Sequence, residues 1–308
     1  MALLGSTDLD VFPLCLGGNV FGRSADERAS FAVLDAYVEA GGNFIDTADM
    51  YVGGESEAII GRWLAQGGRR EQVVIATKVG MAPTTTGLTA PMIDAAIDGS
   101  LERLQTDYVD LYYAHQDDPG TPLAETLGAF DALVRAGKVR HVAASNYSAA
   151  RLAHALEVSR REGFAAYAAL QPLYNLVERD EYEGELAELC AREGIPCLPY
   201  FALAQGFLTG KYRRGGERVD SYRAARAESY LAGRGIAVLR ALDEIAAAHD
   251  ATLAAVSLAW LLAKPTVAAP IASARSVEQL NELLGVTRLR LTDVQVRSLD
   301  EAGRTTPG

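Results

Sequence analysis

Short, nearly continuous apolar runs alternate along this chain with longer segments whose apolar positions recur at helical spacing. The short runs are Leu14–Gly17, Asn43–Asp46, Val73–Lys78, Tyr108–Ala114, Val139–Ser145, Ala168–Gln171, Cys197–Tyr200 and Val267–Ile271. Runs that are apolar throughout, instead of at every second position, predict parallel strands covered on both faces. Helix candidates lie between them at Glu27–Ala40, Ser56–Leu64, Pro91–Leu104, Pro122–Ala136, Ser148–Arg161 and Tyr182–Glu193. Arg234–His249, Thr252–Ala263 and Val277–Leu284 follow later. The punctuation agrees: Thr121-Pro122 opens one helix, and Gly41, Gly137 and Gly194 follow the ends of others.

Eight strands, each followed by a helix, predict an α/β fold of the (β/α)8 TIM barrel type, with residues 1–308 as a single domain. A doubly wound open sheet is the alternative, but no GxGxxG turn follows an early strand. Two pieces stand outside the alternation. Residues 3–13 read as an N-terminal β-hairpin that plugs the barrel bottom, and residues 202–233 as a long Gly- and Arg-rich loop after strand seven. A connection longer than about 15 residues in a compact domain is usually functional.

Composition narrows the function classes. The 308 residues are 49% hydrophobic and 22% charged, enough for one large core. A formal net charge of −11 disfavours a nucleic-acid backbone or an anionic membrane as partner. Three cysteines, Cys15, Cys190 and Cys197, sit in apolar settings without metal-type spacing, which predicts reduced thiols and a cytoplasmic location. The start of the chain lacks the basic and apolar regions of a signal peptide. The longest apolar stretch, Ala254–Ala263, is too short to cross a bilayer.

The chemistry gathers where the strands end. In a barrel, side chains at the C-terminal strand ends surround one site. Those ends hold Asp46 in NFIDTADMY, Lys78 in VVIATKVG and His115 in LYYAHQDD, and Tyr51 lies in the loop after Asp46. Lys78 is one of only four lysines in the chain, yet it closes an apolar strand. A buried ammonium needs a partner and tends to lose pKa, and Asp46 is the candidate partner. An ammonium beside a phenol is expected to lower the phenol from its ordinary value near ~10, towards a useful proton donor. An imidazole such as His115 can orient a carbonyl oxygen. A metal-dependent hydrolase normally shows paired early histidines; here the first histidine is His115, and His141, His154 and His249 do not obviously join it.

GGNFIDTADMY, the strand-ending Lys78 and DLYYAH together resemble the Asp-Tyr-Lys-His tetrad of the aldo-keto reductase superfamily, including its potassium-channel β-subunit branch. The resemblance runs from about Leu3 to Glu301. It implies hydride transfer from NADPH to a small-molecule aldehyde or ketone, or a regulatory nucleotide-binding subunit of the same fold. Position by position it makes Tyr51 the general acid, Lys78 its modulator, Asp46 the lysine's partner and His115 the substrate-orienting group.

The same resemblance places the cofactor. Ser145, Asn146 and Gln171 match the residues that bind the nicotinamide carboxamide, and Tyr200 matches the aromatic that stacks on its ring. The segment FALAQGFLTGKY, with Phe201, Leu203, Gly206 and Lys211, resembles the pyrophosphate clasp. It departs from the family's Ser-Pro at Phe201-Ala202. Ser273, Arg275, Gln279 and Glu282 match the adenosine side, with Arg275 at a 2′-phosphate contact; Leu283 replaces a usual Asn. Arg275 and Lys211 favour NADPH over NADH. Gly18 and Asn19 belong to the same mouth. Asn19 and Phe21 are expected along the substrate pocket, with Met50, Met81 and Tyr113 as further candidates, and Arg213, Arg214 and Arg218 are expected to close over phosphates or solvate the loop.

Overall fold

The computed structural model of the chain describes residues 1–213, 215 and 224–304. Strands β1 (Ala2–Leu3) and β2 (Asp10–Val11) pair antiparallel. Strands β3 (Cys15–Gly17), β4 (Phe44–Asp46), β5 (Val74–Val79), β6 (Val109–Ala114), β7 (Val139–Ser145), β8 (Leu170–Gln171) and β9 (Ile271–Ala272) form one parallel sheet. Its order is β8-β7-β6-β5-β4-β3-β9, so each strand through β8 lies beside its predecessor, and β9 returns to pair with β3.

The seventh strand of the expected barrel, Cys197–Tyr200, is not a regular strand. It is tied on one side to β8 and the residues after it by bridges at Leu170–Cys197 and Leu173–Tyr200, and on the other by a bridge at Cys197–Val267. Hydrogen bonds from Ala268 N to Cys197 O (3.0 Å) and from Ile271 N to Pro199 O (2.9 Å) continue that second side. Proline explains the irregularity. Pro172, Pro199 and Pro270 lie at these short strands, and none has an N–H to give to a ladder.

Helices fill the outside: α1 (Glu27–Glu39), α2 (Glu55–Leu64), α3 (Ala90–Leu104), α4 (Leu123–Arg135), α5 (Ala149–Glu162), α6 (Glu185–Glu193), α7 (Ala224–Ser229), α8 (Arg234–His249), α9 (Leu253–Leu262), α10 (Val277–Leu284) and α11 (Asp293–Ala302). Many begin at a side-chain cap. Asp26, Ser148, Thr252, Ser276 and Thr292 each accept a first-turn backbone N–H that has no partner inside the helix. Among the described residues no single helix is long and apolar enough to cross a membrane.

Two apolar clusters result. The larger lies between the helices and the sheet, with Trp63, Tyr112, Phe130 and Trp260 among its members. The smaller joins Cys15, Phe44, Ala76, Leu111, Tyr113, Ala143, Ala169 and Leu198 from the strand region to Leu4, Leu9 and Val11 of the N-terminal segment. The turn residues Leu4 and Leu9 and the β2 residue Val11 thus lie against the same cluster as the strands, while Leu3 of β1 is exposed.

Candidate active site

The C-terminal strand ends surround a cavity of about 850 Å³. β3 contributes Gly17, β4 Asp46, β7 Ser145, β8 Gln171 and β9 Ile271 and Ala272, while Tyr51, Met81 and His115 come from the turns after β4, β5 and β6. Parallel strands all end on one side, which is why residues so distant in sequence meet here.

Lys78 is fully buried below this cavity. Its Nζ donates to Asp46 Oδ1 and to the Thr47 carbonyl, both at 2.6 Å. Gln171 Nε2 donates to the other carboxylate oxygen, Asp46 Oδ2, at 2.9 Å. Asp46 is therefore held on both sides. Burial pulls the Lys78 ammonium down, but the Asp46 carboxylate, by its charge and its hydrogen bond, holds it up, and the net direction is above the ordinary lysine range. This corrects the expectation that burial lowers it: the partner is close enough to reverse the sign.

The Tyr51 ring centroid lies 5.1 Å from Lys78 Nζ and 6.1 Å from the His115 ring, edge to face. Burial pushes the Tyr51 phenol above its ordinary value, while the charge and hydrogen bond of Lys78 pull it down and Asp46 pushes it up again. The net direction is upward, opposite to the expectation. Desolvation is the largest effect, and the Asp46 charge acts against that of Lys78. Burial and the Lys78 charge push the His115 imidazole down to about 3, so it is neutral at physiological pH. Its Nδ1 is buried with no hydrogen-bond partner among the described residues.

The expected cofactor residues line the same cavity with one exception. Asn19, Ser145, Asn146, Gln171, Tyr200, Phe201, Leu203, Gly206, Lys211, Ser273, Arg275, Gln279 and Glu282 all border it. Gly18 does not: its N–H donates to Asp46 O at 2.7 Å and its carbonyl accepts from Ser56 Oγ at 2.8 Å. Gly17 takes the lining position, and a Cβ there would lie 2.6 Å from Ser273 Oγ. Phe21 is likewise turned away, fully buried in the outer core, and Val20 borders the cavity in its place. Met81 is in the wall, Tyr113 is buried inside, and Met50 faces a smaller cavity.

Polar neighbours hold several of these groups. Asn146 Nδ2 donates to His115 O at 2.9 Å and to Ser145 Oγ at 3.1 Å, while its Oδ1 accepts from Tyr200 OH at 2.8 Å. Ser145 Oγ donates to Gln171 O, and Ser273 Oγ donates to Asn19 Oδ1, both at 2.8 Å. Arg275 is exposed, and its backbone N–H donates to Gln279 Oε1 at 3.0 Å.

After Tyr200 the chain turns through left-handed backbone at Phe201 (φ 49), Ala204 (φ 46), Gln205 (φ 57) and Gly206 (φ 94). Successive turns of this kind bring backbone N–H groups into concave arrangements that suit anions. A Cβ on Gly206 would lie 3.1 Å from Lys211 Nζ, so the glycine leaves room for the ammonium beside the turn. Further along, Arg213 is engaged with Asp243 at 2.7 Å instead of closing over the mouth. Arg214 and Arg218 lie outside the described residues. Gln205, Thr209 and Ala254 also border the cavity, and nothing in their residue type marks them in the sequence. Among the described residues no cluster of three or more His, Cys, Asp or Glu side chains is arranged to hold a metal.

A sequence model described as the aldo/keto reductase family matches residues 13–304. The chain belongs to this family. Among curated relatives, an uncharacterized oxidoreductase of Bacillus subtilis, YrpG, is 35% identical across 97% of this chain and 94% of its own. The aldo-keto reductase yakc [NADP(+)] of Schizosaccharomyces pombe is 32% identical across 94% and 86%. A probable voltage-gated potassium channel subunit beta of rice is 34% identical across 91% and 88%. This aldo/keto reductase thus has relatives named as oxidoreductases and relatives named as channel subunits.

Proposed function

We propose that this aldo/keto reductase transfers hydride from NADPH to an aldehyde or ketone, with Tyr51 as proton donor. The observation that carries the reading is the buried Lys78–Asp46 pair beneath Tyr51 and a neutral His115, all at one end of the cavity. Family membership and the NADP(+) named for the fission-yeast relative support it. The fold reading that accompanies it is one domain over residues 1–308, in which the bridged Cys197–Tyr200 segment completes an eight-stranded barrel.

The residues present fit a dinucleotide. The left-handed turn with Gly206 and Lys211 suits a diphosphate, the exposed Arg275 a 2′-phosphate, and the Tyr200 ring a nicotinamide face. Gln171 and Asn146 border the cavity with side-chain amides that suit a carboxamide. The bound cofactor supplies the hydride to the carbonyl carbon. A substrate oxygen near His115 meets a neutral ring that can donate an N–H. Raised by burial, the Tyr51 phenol stays protonated at neutral pH and gives its proton to the oxygen as negative charge develops there. The Lys78 ammonium then stabilises the phenolate, and solvent returns the proton.

NADPH consumption against aliphatic, aromatic, sugar and quinone-type carbonyls tests the reading. Tyr51→Phe should lower turnover by at least about 10²-fold while cofactor binding is kept; unchanged turnover in that variant rejects the mechanism. The rice relative supports a second reading, a regulatory subunit that binds NADPH with slow or no turnover. Tight NADPH binding without consumption on any carbonyl would favour it.

A further inference from the structure

The loop from Gly80 to Leu88 follows β5 and carries Met81 into the wall of the main cavity. It closes on itself: Gly87 N donates to Gly80 O at 3.1 Å, Thr85 N to Ala82 O at 3.0 Å, and Thr86 Oγ1 to Ala82 O at 2.8 Å. Its far end is pinned where Asp118 Oδ2 accepts from Leu88 N at 2.8 Å and Thr126 Oγ1 donates to Leu88 O at 2.9 Å. At the tip Pro83, Thr84 and Thr86 are exposed and only Ala82 is buried. Among the described residues, the one side-chain hydrogen bond linking residues 81–86 to the rest of the molecule runs from Thr85 Oγ1 to Asp49 Oδ2, at 2.8 Å.

Asp49 stands two residues before Tyr51, on the segment that also supplies the Thr47 carbonyl to Lys78. It is only 5% exposed, and its Oδ1 accepts no hydrogen bond among the described residues. A carboxylate oxygen left unpaired in so buried a position is costly and calls for a reason. Beside it lies a second cavity of about 400 Å³, bordered by Met50, Ala82, Thr84, Thr85 and Arg103 as well as Asp49. The loop tip therefore has room to shift when its tether is released.

We infer that Asp49 is a positioning residue whose bond to Thr85 keeps the Met81 loop in register with the Tyr51 loop, and whose protonation slackens that tether. An ionised acceptor holds a hydroxyl about twice as strongly as a neutral one. Glu57 from α2 and Arg103 from α3 face the carboxyl with opposite charges, with the Tyr112 hydroxyl from β6 near all three. Glu57 is fully buried, and its Oε2 accepts from Arg103 Nε at 2.8 Å, so the arginine is shared and does not neutralise Asp49 alone. Burial, reinforced by Glu57, pushes the carboxyl up to about 6 against the Thr85 bond and Arg103. The tether then weakens as pH falls through the range just below neutral.

The kinetic consequence, a pH-dependent KM for carbonyls, rests on the reductase reading; the loop contact does not. Amide hydrogen exchange read by mass spectrometry tests the contact without any substrate. Peptides covering residues 80–88 should exchange on the order of tenfold faster in Thr85→Val than in the natural chain, with β6 and β7 unchanged and Thr85→Ser restoring protection. Corrected for intrinsic rates, their protection in the natural chain should fall between about pH 7 and about pH 5, and Asp49→Asn should remove that dependence. With a carbonyl that the natural chain reduces, Thr85→Val should raise KM about fivefold and leave kcat within about twofold. Unaltered exchange in Thr85→Val, or a pH dependence that persists in Asp49→Asn, overturns the inference. A chain that shows this exchange pattern but reduces no carbonyl upholds the tether and overturns the reductase reading instead.

Discussion

His115 and Tyr51 show how burial sets the chemistry of single residues. With its imidazole pushed down to about 3, His115 is uncharged across the working range, so kcat/KM should show no inflection from it between about pH 5 and about pH 8. Asp49 gives a stability prediction with a definite sign. Its carboxyl is raised from 3.8 to about 6 in the fold. Between those values the folded chain holds a proton that the unfolded chain has lost, so stability falls as pH rises through that window and then stays lower. Asp49→Asn carries no such loss. It should be more stable than the natural chain above about pH 6, by at most about 3 kcal/mol at ~1.4 kcal/mol per unit, with the difference closing below about pH 4. Urea unfolding at both pH values checks this, and a difference independent of pH would refute it.

At the scale of elements, helix caps and prolines account for both the agreement and the misses. α8 and α10 match the helices predicted from periodicity, and β7 matches its strand. α11 escaped periodicity, although Thr292 and Gln295 form a capping box that the sequence displays as T-x-x-Q. α7 lies inside the long connection after Tyr200, which reads as irregular because Gly and Arg dominate its surroundings. The start of α10 belongs to the adenosine end of the site in the proposed function. If Arg275 grips a 2′-phosphate there, Arg275→Met should raise the KM for NADPH by roughly tenfold, the scale of one charge-assisted contact, and leave that for NADH nearly unchanged. Equal effects on the two cofactors would assign Arg275 to the solvated surface.

At the scale of the molecule, the N-terminal segment and the parallel sheet share an apolar cluster through Leu4, Leu9 and Val11. Leu9 is 1% exposed, so Leu9→Ala should cost about 2–5 kcal/mol of stability, read as a lowered thermal midpoint. The cavity of the proposed reaction lies at the C-terminal strand ends, so kcat of the folded variant should stay near that of the natural chain. A large loss of kcat at a temperature where the variant is folded would show that the two ends are coupled.

The order of strands and helices, the placing of Asp46, Lys78 and His115 at strand ends, and Tyr51 in the turn after Asp46 are local properties, and the chain carries them in its apolar periodicity and its motifs. Tertiary structure alone decided which glycine faces the cavity, because Gly17 and Gly18 are adjacent and only the strand's orientation distinguishes them. It also decided that Val20 and not Phe21 borders the pocket, and that Arg213 is held by Asp243. The signs of the Lys78 and Tyr51 shifts belong here too. They depend on how burial compares with a carboxylate at 2.6 Å, and that balance exists only once distant strands have brought the groups together.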